Sequence, residues 1–548
     1  MSVETHKTVG GARIGYRRDL LPLASPAWLS YLVIILALFA LFDAFAFGLT
    51  DLDEGCYSSI ARQMAATGDY LTPQLYGEPW FQKPPLLYWS MAASMKVFGP
   101  SEFGVRLPSA VAFWAVLAML VVWGNRRFGN PVGTRAAVIF GLSPLAMLLA
   151  RLGITDMLLA CCLMAALIAM WETARRPAWC ILWGLATGAA VLGKGPAGLG
   201  LICLQALIAV PLLLRQGLRL RWALVALVIA LLVPLPWYLG VLAQHGRGFF
   251  GEFIVKQNLL RFLGGDAAHA IRQPVLYALY YVLILWIGLF PFSVFAPRAL
   301  VRSADPLHAY LQRWCWLVLA VFTVAVTKLP AYIFPMFPPI ALLVAVSWDG
   351  EGRDVLPVWA RRAVTVGGAA LWAGAAVALA AASRGPLPVL LGAGLVLGSV
   401  PLMRSRPFGP SGGEASGENE AAPGRLQRWR TAALYPASAL LLLVGLHFGL
   451  RAYDTVMLAP LRQAVRSVPQ GRLLIIYRLP RGHPSVSFYR AGRVLATDEE
   501  TAARRWLSRG AFCLTTERAL PAGDWRTVRR IKSLGQTLVL VDGSRQGP

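Results

Sequence analysis

Charge is scarce in this 548-residue sequence: 14% of the residues are charged and 57% are hydrophobic. A soluble domain carries roughly 25% charged residues, so a soluble globular enzyme is excluded. Acids are scarcer than bases, with 27 Asp and Glu against 52 Lys and Arg, for a net charge of +25. Cysteine is limited to Cys56, Cys161, Cys162, Cys180, Cys203, Cys315 and Cys513, mostly in apolar runs and with no CxxC pair. That excludes a disulfide framework and a paired-thiolate metal site. HExxH is absent too. GKGPAG at 193–198 lacks the glycine spacing and the terminal GK[ST] of a phosphate-binding loop.

Long apolar runs are abundant. A hydrocarbon core of ~30 Å is crossed by about 20 helical residues. Candidate spans lie at 29–48, 106–124, 133–150, 155–171, 178–193, 196–214, 221–243, 275–297, 312–327, 331–348, 360–382, 387–403 and 431–450. The first follows a basic segment containing Lys7, Arg13, Arg17 and Arg18, and no small-residue cleavage site follows it. It is expected to be a signal anchor. Alternate loops are basic: NRRFG near 125, ARRP near 174, RQGLRLR near 215, RALVR near 298, WARR near 359 and RLQRWR near 425. Lys and Arg mark cytoplasmic loops. The N-terminus is therefore expected inside and, after thirteen spans, the C-terminal tail outside. The same bias accounts for much of the net charge, so no nucleic-acid partner is expected.

The expected fold is a polytopic α-helical membrane protein of about 13 transmembrane helices with external juxtamembrane helices. Residues 1–450 form the membrane domain, with long external loops at 49–105 and 244–274 and a flexible cytoplasmic loop at 404–430. Residues 451–548 are less apolar and contain alternating runs such as RLLIIYRL and TLVLVD, which predict a small soluble α/β domain in the periplasm. Within the first loop, Glu54, Ser58 and Arg62 fall on one helical face and Tyr57, Ile60, Ala61 and Met64 on the other. That spacing predicts a helix lying in the membrane interface. A second helix is predicted over 86–98, after Pro84-Pro85.

This topology places ionisable residues on the outer side: Asp53, Glu54 and Lys83; Arg151 and Asp156; Lys194; Arg261, His269 and Arg272; and Lys328. Each has an ordinary explanation. Asp53 and Asp156 suit helix starts, and Lys83 and Lys328 suit headgroup contact. Together they describe a membrane-edge cavity whose cations hold phosphate. With no soluble-nucleotide motif, an activated sugar would arrive on a lipid phosphate.

The stretch DEGCYSSIARQM, followed by GEPWFQKPPLLYW, resembles the first external loop of membrane glycosyltransferases with the C-type fold. The nearest resemblance is to the bacterial lipid A aminoarabinose (4-amino-4-deoxy-L-arabinose) transferase family, related to protein O-mannosyltransferases. It rests on Asp53, Glu54, Tyr57, Ile60, Arg62, Met64, Phe81, Lys83, Pro84, Tyr88 and Trp89. It continues through ITDMLLA with Asp156, GKG with Lys194, QNLLRF with Arg261 and Phe262, and TKLPAYIFP with Lys328, Pro330 and Tyr332, spanning roughly 30–345. Gln82 stands where some relatives carry an acid, and Asp156 lies in Thr-Asp-Met where an Asp-Pro pair is usual.

The resemblance implies transfer of aminoarabinose from undecaprenyl phosphate to a lipid A phosphate at the periplasmic face of the inner membrane, and with it polymyxin resistance. It implies a catalytic set of Asp53, Asp156 and Glu54, with Tyr57, Arg62, Lys83, Arg151, Lys194, Arg261, Lys328 and Tyr332 binding substrate. Cations aimed at the leaving phosphate act chiefly in the transition state. A monomer is expected. Glu78 and His269, one in each long loop, are candidate ligands for a divalent metal such as Zn²⁺. The alternatives are transfer to a protein or another envelope lipid, and a lipid transporter. A transporter would place its polar groups near the bilayer midplane in broken helices.

Overall fold

The computed structural model describes residues 27–42, 47–51, 53–260, 274–325, 327–347, 436, 439–440, 443–451, 453–479, 483–491, 493–533 and 536–544. The expected spans 360–382 and 387–403, most of 431–450, the 404–430 loop, Arg261, Phe262, His269 and Arg272 lie outside these residues.

The apolar runs become helices. α1 spans Ala27–Phe42, α2 Asp53–Thr67, α3 Leu86–Phe98, α4 Glu102–Phe128, α5 Val132–Leu142, α6 Pro144–Ala150 and α7 Thr155–Thr173. α8 spans Trp179–Lys194, α9 Pro196–Arg215, α10 Leu220–Leu232, α11 Leu235–Phe249, α12 Pro274–Gly288, α13 Pro306–Val324 and α14 Pro330–Ser347. Among the described residues, six helices are long and apolar enough to cross a membrane, or seven if α5 and α6, bent by 73°, count as one span. The chain is a multi-pass membrane protein. The bend falls at Ser143-Pro144, where proline removes a backbone donor. The division of 178–214 into two helices is equally local: Gly195 has φ +76°, a conformation that disfavours any side chain, and Pro196 opens the next helix.

Burial sorts the helices. α7 is apolar nearly all round, and sixteen of its nineteen residues are buried, which makes it the central helix. α10 is the opposite case: only Ala226 and Ala230 are buried, and Leu224, Val228, Leu231 and Leu232 are exposed as a lipid-facing surface. Those two alanines meet Gly184 and Gly188 of α8. Small residues let the two backbones approach closely.

The last part of the chain contains α15 Ala459–Ser467, β3 Leu474–Tyr477, α16 Ser485–Tyr489, β4 Val494–Thr497, α17 Glu500–Ser508, β5 Phe512–Thr516, β6 Arg526–Ser533 and β7 Gln536–Asp542. The five strands form one sheet in the order β4-β3-β5-β7-β6. β3 runs parallel to β4 and β5, and β7 runs antiparallel to β5 and β6. All four residues of β3 are buried because apolar clusters cover both faces of the sheet.

α2 is not the half-solvated interfacial helix that its sequence pattern predicts. Glu54 and Ser58 of its polar face are as buried as Tyr57 and Ile60, because Arg106 and Gly153 enclose Glu54 and α16 packs against the helix. Gly55 allows this approach: a Cβ there would stand 2.6 Å from the Ser485 backbone nitrogen. Ser59 Oγ donates to the Pro484 carbonyl at 2.7 Å. His483 Nδ1 lies 2.6 Å from Asp51 Oδ2, and the Ser485 N–H donates to Asp51 Oδ1 at 3.2 Å.

The other anchor of α2 is Glu54. Its carboxylate accepts Arg106 Nε at 2.7 Å and Nη2 at 2.9 Å, the Gly153 N–H at 2.8 Å, and the Thr50 N–H at 2.8 Å and hydroxyl at 2.9 Å. Neither side chain of the Glu54–Arg106 pair is solvent-exposed. Arg106 also donates to the Phe47 and Gly48 carbonyls and stacks over the Phe47 ring. Burial alone would raise the Glu54 carboxyl, but the charge and hydrogen bonds of Arg106, with the two backbone N–H groups, hold it below its ordinary value. Stability from this pair is therefore complete above the ordinary carboxylate value of 4.5 and is lost as pH falls through the lowered folded value. Glu54→Ala leaves the Arg106 charge buried and uncompensated, at an expected cost of ~3–5 kcal/mol. Thermal unfolding in detergent should show a large drop in Tm; an unchanged Tm would mean the pair does not anchor α2.

Candidate active site

The site is built where α2, α7 and α8 end on one side of the bundle. Asp53 is exposed in the first turn of α2. Asp156 occupies the first turn of α7 without capping it, since the cap position is Ile154 and carries no side-chain cap bond. Instead Asp156 Oδ1 accepts from Lys194 Nζ at 2.5 Å, with both side chains mostly buried. Lys194, the last residue of α8, also lies over the Tyr332 ring, 5.0 Å from its centroid. One ion pair thus joins α7 to α8 and orients Tyr332.

Tyr57 feels the charge of both acids. Its hydroxyl is pushed far above its ordinary value, chiefly by burial and further by Asp53, Tyr88, Cys56 and Asp156. It remains a protonated hydrogen-bond donor. Burial also raises the neighbouring Cys56 thiol, with Asp53 adding to the effect and Lys83 opposing it. Asp53 and Lys83 therefore act on the same buried point. The Tyr88 ring sits 5.7 Å from that of Tyr57, and its hydroxyl is buried with no hydrogen-bond partner among the described residues. Asp53, Tyr57, Lys83, Tyr88, Asp156, Lys194 and Tyr332 form one neighbourhood.

Beside it is a cluster of Phe81, Leu192, Trp237, Val241, Phe249 and Phe253. Phe81 lies two residues before Lys83 and Leu192 two before Lys194, so this apolar wall meets the cations. Trp237 Nε1 donates to the Leu71 carbonyl at 3.0 Å, and Thr72 Oγ1 lies 2.9 Å from His245 Nε2, fixing α11 against the first loop.

Other residues expected in the site have different surroundings. Glu54 is enclosed by Arg106, Thr50 and Gly153 and has no open face for substrate. Arg62 turns to the C-terminal part of the chain, donating to the Phe488 carbonyl and lying over its ring. Arg151 is fully buried, with its guanidinium 4.2 Å from the centre of the Phe39 ring. Lys328 donates to the carbonyls of Phe322, Thr323 and Ala325 at 2.7, 2.6 and 2.5 Å. An ammonium has three protons, so Lys328 spends them on closing the C-terminal end of α13.

Glu78 is exposed in the short hairpin of β1 (Gln74–Leu75) and β2 (Glu78–Pro79). Among the described residues, no group of three or more His, Cys, Asp or Glu side chains is arranged to hold a metal. Arg106, Asp51, Ser485 and Tyr489 carry structural bonds that sequence spacing did not expose, because their partners are tens to hundreds of positions away. An arginine at the mouth of a span was the available signal for Arg106, since a charge there needs a partner.

A helical membrane core with acids and cations at one mouth defines the class of fold. It is the C-type fold: the chain superimposes on crystal structures of ArnT from Cupriavidus metallidurans. The form bound to undecaprenyl phosphate gives a TM-score of 0.74 at 19% identity, covering 96% of this chain and 100% of that one. The apo form gives 0.72. Residues 82–239 match the family model for dolichyl-phosphate-mannose-protein mannosyltransferase.

The relatives narrow the class. The undecaprenyl phosphate-alpha-4-amino-4-deoxy-L-arabinose arabinosyl transferase 1 of Pseudomonas fluorescens is 30% identical over 338 residues, 58% of this chain and 57% of that protein. The corresponding transferase of Pseudomonas paraeruginosa is 32% identical over 336 residues, 58% of each. The chain spans a little over half the length of the curated relatives it matches. The resemblance to the aminoarabinose transferase family is borne out.

The capping role of Lys328 can be tested by substitution. Lys328→Ala is expected to lower the Tm through lost caps, each buried carbonyl left unpaired costing ~1–3 kcal/mol, whereas Arg505→Ala, at an exposed position, should leave the Tm close to wild type. Equal thermal shifts for the two variants would contradict a capping role for Lys328.

Proposed function

We propose that this chain transfers 4-amino-4-deoxy-L-arabinose from undecaprenyl phosphate to a phosphate of lipid A, at the periplasmic face of the bacterial inner membrane. The observation that carries the reading is the convergence of Asp53, Lys83, Tyr57 and the Asp156–Lys194 pair at the membrane-edge end of a C-type fold, beside an apolar aromatic wall. The donor is the one named for the relatives, undecaprenyl phosphate-linked 4-amino-4-deoxy-L-arabinose. The topology that goes with it has thirteen spans, an external domain over 451–548 and the active site on the same side. A monomer suffices, since the converging groups come from one chain.

The chemistry follows from charge. An acceptor phosphate oxygen attacks the anomeric carbon as the bond from that carbon to the carrier phosphate breaks, and undecaprenyl phosphate leaves with the bonding pair. Lys83 is assigned to the charge that grows on this leaving group. The prenyl chain lies along the wall of Phe81, Trp237, Phe249 and Phe253. A lipid phosphate ester is mostly ionised near neutral pH, so there is little proton for a base to remove. Asp53 is instead assigned to the sugar's ammonium, where a carboxylate is attractive, with Tyr57 donating nearby. Lys194 is held by Asp156 as a positioning cation. Arg261 remains a candidate for phosphate contact. Any Zn²⁺ at Glu78 and His269 would tie the two long loops and is not needed for these steps.

The mannosyltransferase family match over 82–239 favours one second reading, transfer to a protein acceptor. Mass spectrometry of lipid A from cells with and without the chain distinguishes them. Aminoarabinose on lipid A only when the chain is present supports the proposal; unmodified lipid A beside a glycosylated envelope protein supports the alternative. Asp53→Asn keeps the shape of the side chain and removes its charge. It is expected to reduce turnover by ~10²-fold or more, the scale of losing one charged contact in a water-poor site, with normal expression. Wild-type turnover by this variant would reduce Asp53 to a helix-start residue.

A further inference from the structure

A second pocket lies at the other end of the bundle. α7 carries Asp156 in its first turn and Glu172 near its last, about 24 Å apart at 1.5 Å per residue. Around Glu172 is a groove of about 660 Å³ between α4, α7 and α8, and its lining divides into two parts. One part is apolar: Met119, Val122, Ile168 and Leu182 among others. Val122 and Leu182 are 51% and 41% exposed. The other part is a rim of Arg126, Arg127, Arg175 and Arg176, with Trp179 beside it.

The rim has a surplus of positive charge. Glu172 is committed: it accepts from Trp123 Nε1 at 2.7 Å and from Arg127 Nε at 2.6 Å. Arg126, Arg175 and Arg176 are exposed and have no ion-pair partner among the described residues. Four arginines against one glutamate leave three charges. The C-terminal ends of α4 and α7 subtract about half a charge each, and the N-terminal end of α8 adds about half. The rim therefore remains cationic.

We propose that this groove binds an anionic phospholipid of the leaflet opposite the transferase site, with the phosphate on Arg126, Arg175 and Arg176 and an acyl chain along Val122 and Leu182. A soluble anion would satisfy the rim and leave the apolar walls uncovered; a lipid fits both. Basic pockets between transmembrane helices are suited to such headgroups. The lipid would brace α4 against α8, the helix that presents Lys194 at the far end. The reading requires only that the bundle sits in a membrane, and it stands apart from the choice of sugar or acceptor.

The test uses the purified full chain in neutral detergent, titrated with phosphatidylglycerol, phosphatidylcholine or glycerol phosphate, and read by native mass spectrometry and thermal shift. Phosphatidylglycerol should bind and raise the Tm, while phosphatidylcholine and glycerol phosphate should do neither. R126Q/R175Q/R176Q should weaken phosphatidylglycerol binding roughly tenfold or more, given ~1 kcal/mol per basic residue at a membrane surface. R215Q/R219Q/R221Q, an equal charge change on a neighbouring loop, should leave it near wild type. If the rim triple fails to fold, Arg126→Gln alone carries the comparison at smaller amplitude. Equal losses in both triples, equal binding of phosphatidylcholine, or a full response to glycerol phosphate would overturn the proposal.

Discussion

The buried ion pair of Glu54 and Arg106 sets the register of the face that carries Asp53 and Asp156. Glu54 follows Asp53 in α2, Arg106 lies in the first turns of α4, and the Gly153 N–H that also reaches Glu54 is three residues before Asp156. A single carboxylate thus ties together the start of α2, the start of α4 and the approach to α7. The positions of the two acids relative to each other depend on that knot. Two desolvated charges are tolerable here because the carboxylate has five donors and Arg106 has two backbone carbonyls in addition.

The cations expected on the face of the two acids divide into two kinds. Lys83 and Lys194 lie by the acids and the aromatic wall. Arg62, Arg151 and Lys328 are spent on the protein itself: a carbonyl and ring of the C-terminal part, a ring of α1, and the open end of α13. If this face is the periplasmic one, as proposed, its positive charge on a side expected to be poor in Lys and Arg has two causes. Phosphate recognition is the proposed one; holding irregular backbone at the membrane edge is the one seen directly. Helix ends at that depth leave carbonyls that water cannot serve, and a long cationic side chain can serve them.

The C-terminal part of the chain contributes to the same face. Asp51, Ser59 and Arg62 all reach residues 483–488, and Leu49 and Glu102 share the Tyr489 hydroxyl. α2 is consequently held from behind by polar bonds and from within by Glu54. Asp53, at the start of such a helix, is held with little freedom to reorganise, which is the condition under which the charge proposed to meet substrate contributes most to a transition state.

Sequence by itself determined that the chain is a multi-pass helical membrane protein, because span length is a one-dimensional quantity; among the described residues six helices, or seven with the bent pair, are long and apolar enough to cross, and Pro274–Gly288 ends well short of the expected 275–297. It also determined the break at Gly195-Pro196, the helix after Pro84-Pro85, and Asp53, Lys83, Asp156 and Lys194 as candidate site residues. Tertiary structure alone decided which charges are met by partners within the protein. Glu54 and Asp53 are neighbours in the chain, yet one is enclosed by an arginine 52 positions away while the other is exposed. Arg62 is expected from sequence to bind phosphate on an amphipathic helix, yet it donates to the Phe488 carbonyl in α16, more than 400 residues on. Lys328 could be assigned only once the carbonyls ending α13 were seen to converge on it. Helical period and hydropathy register what a residue is and how often its type recurs; they carry no information about which distant group comes to meet it, and for a buried charge that partner decides its role.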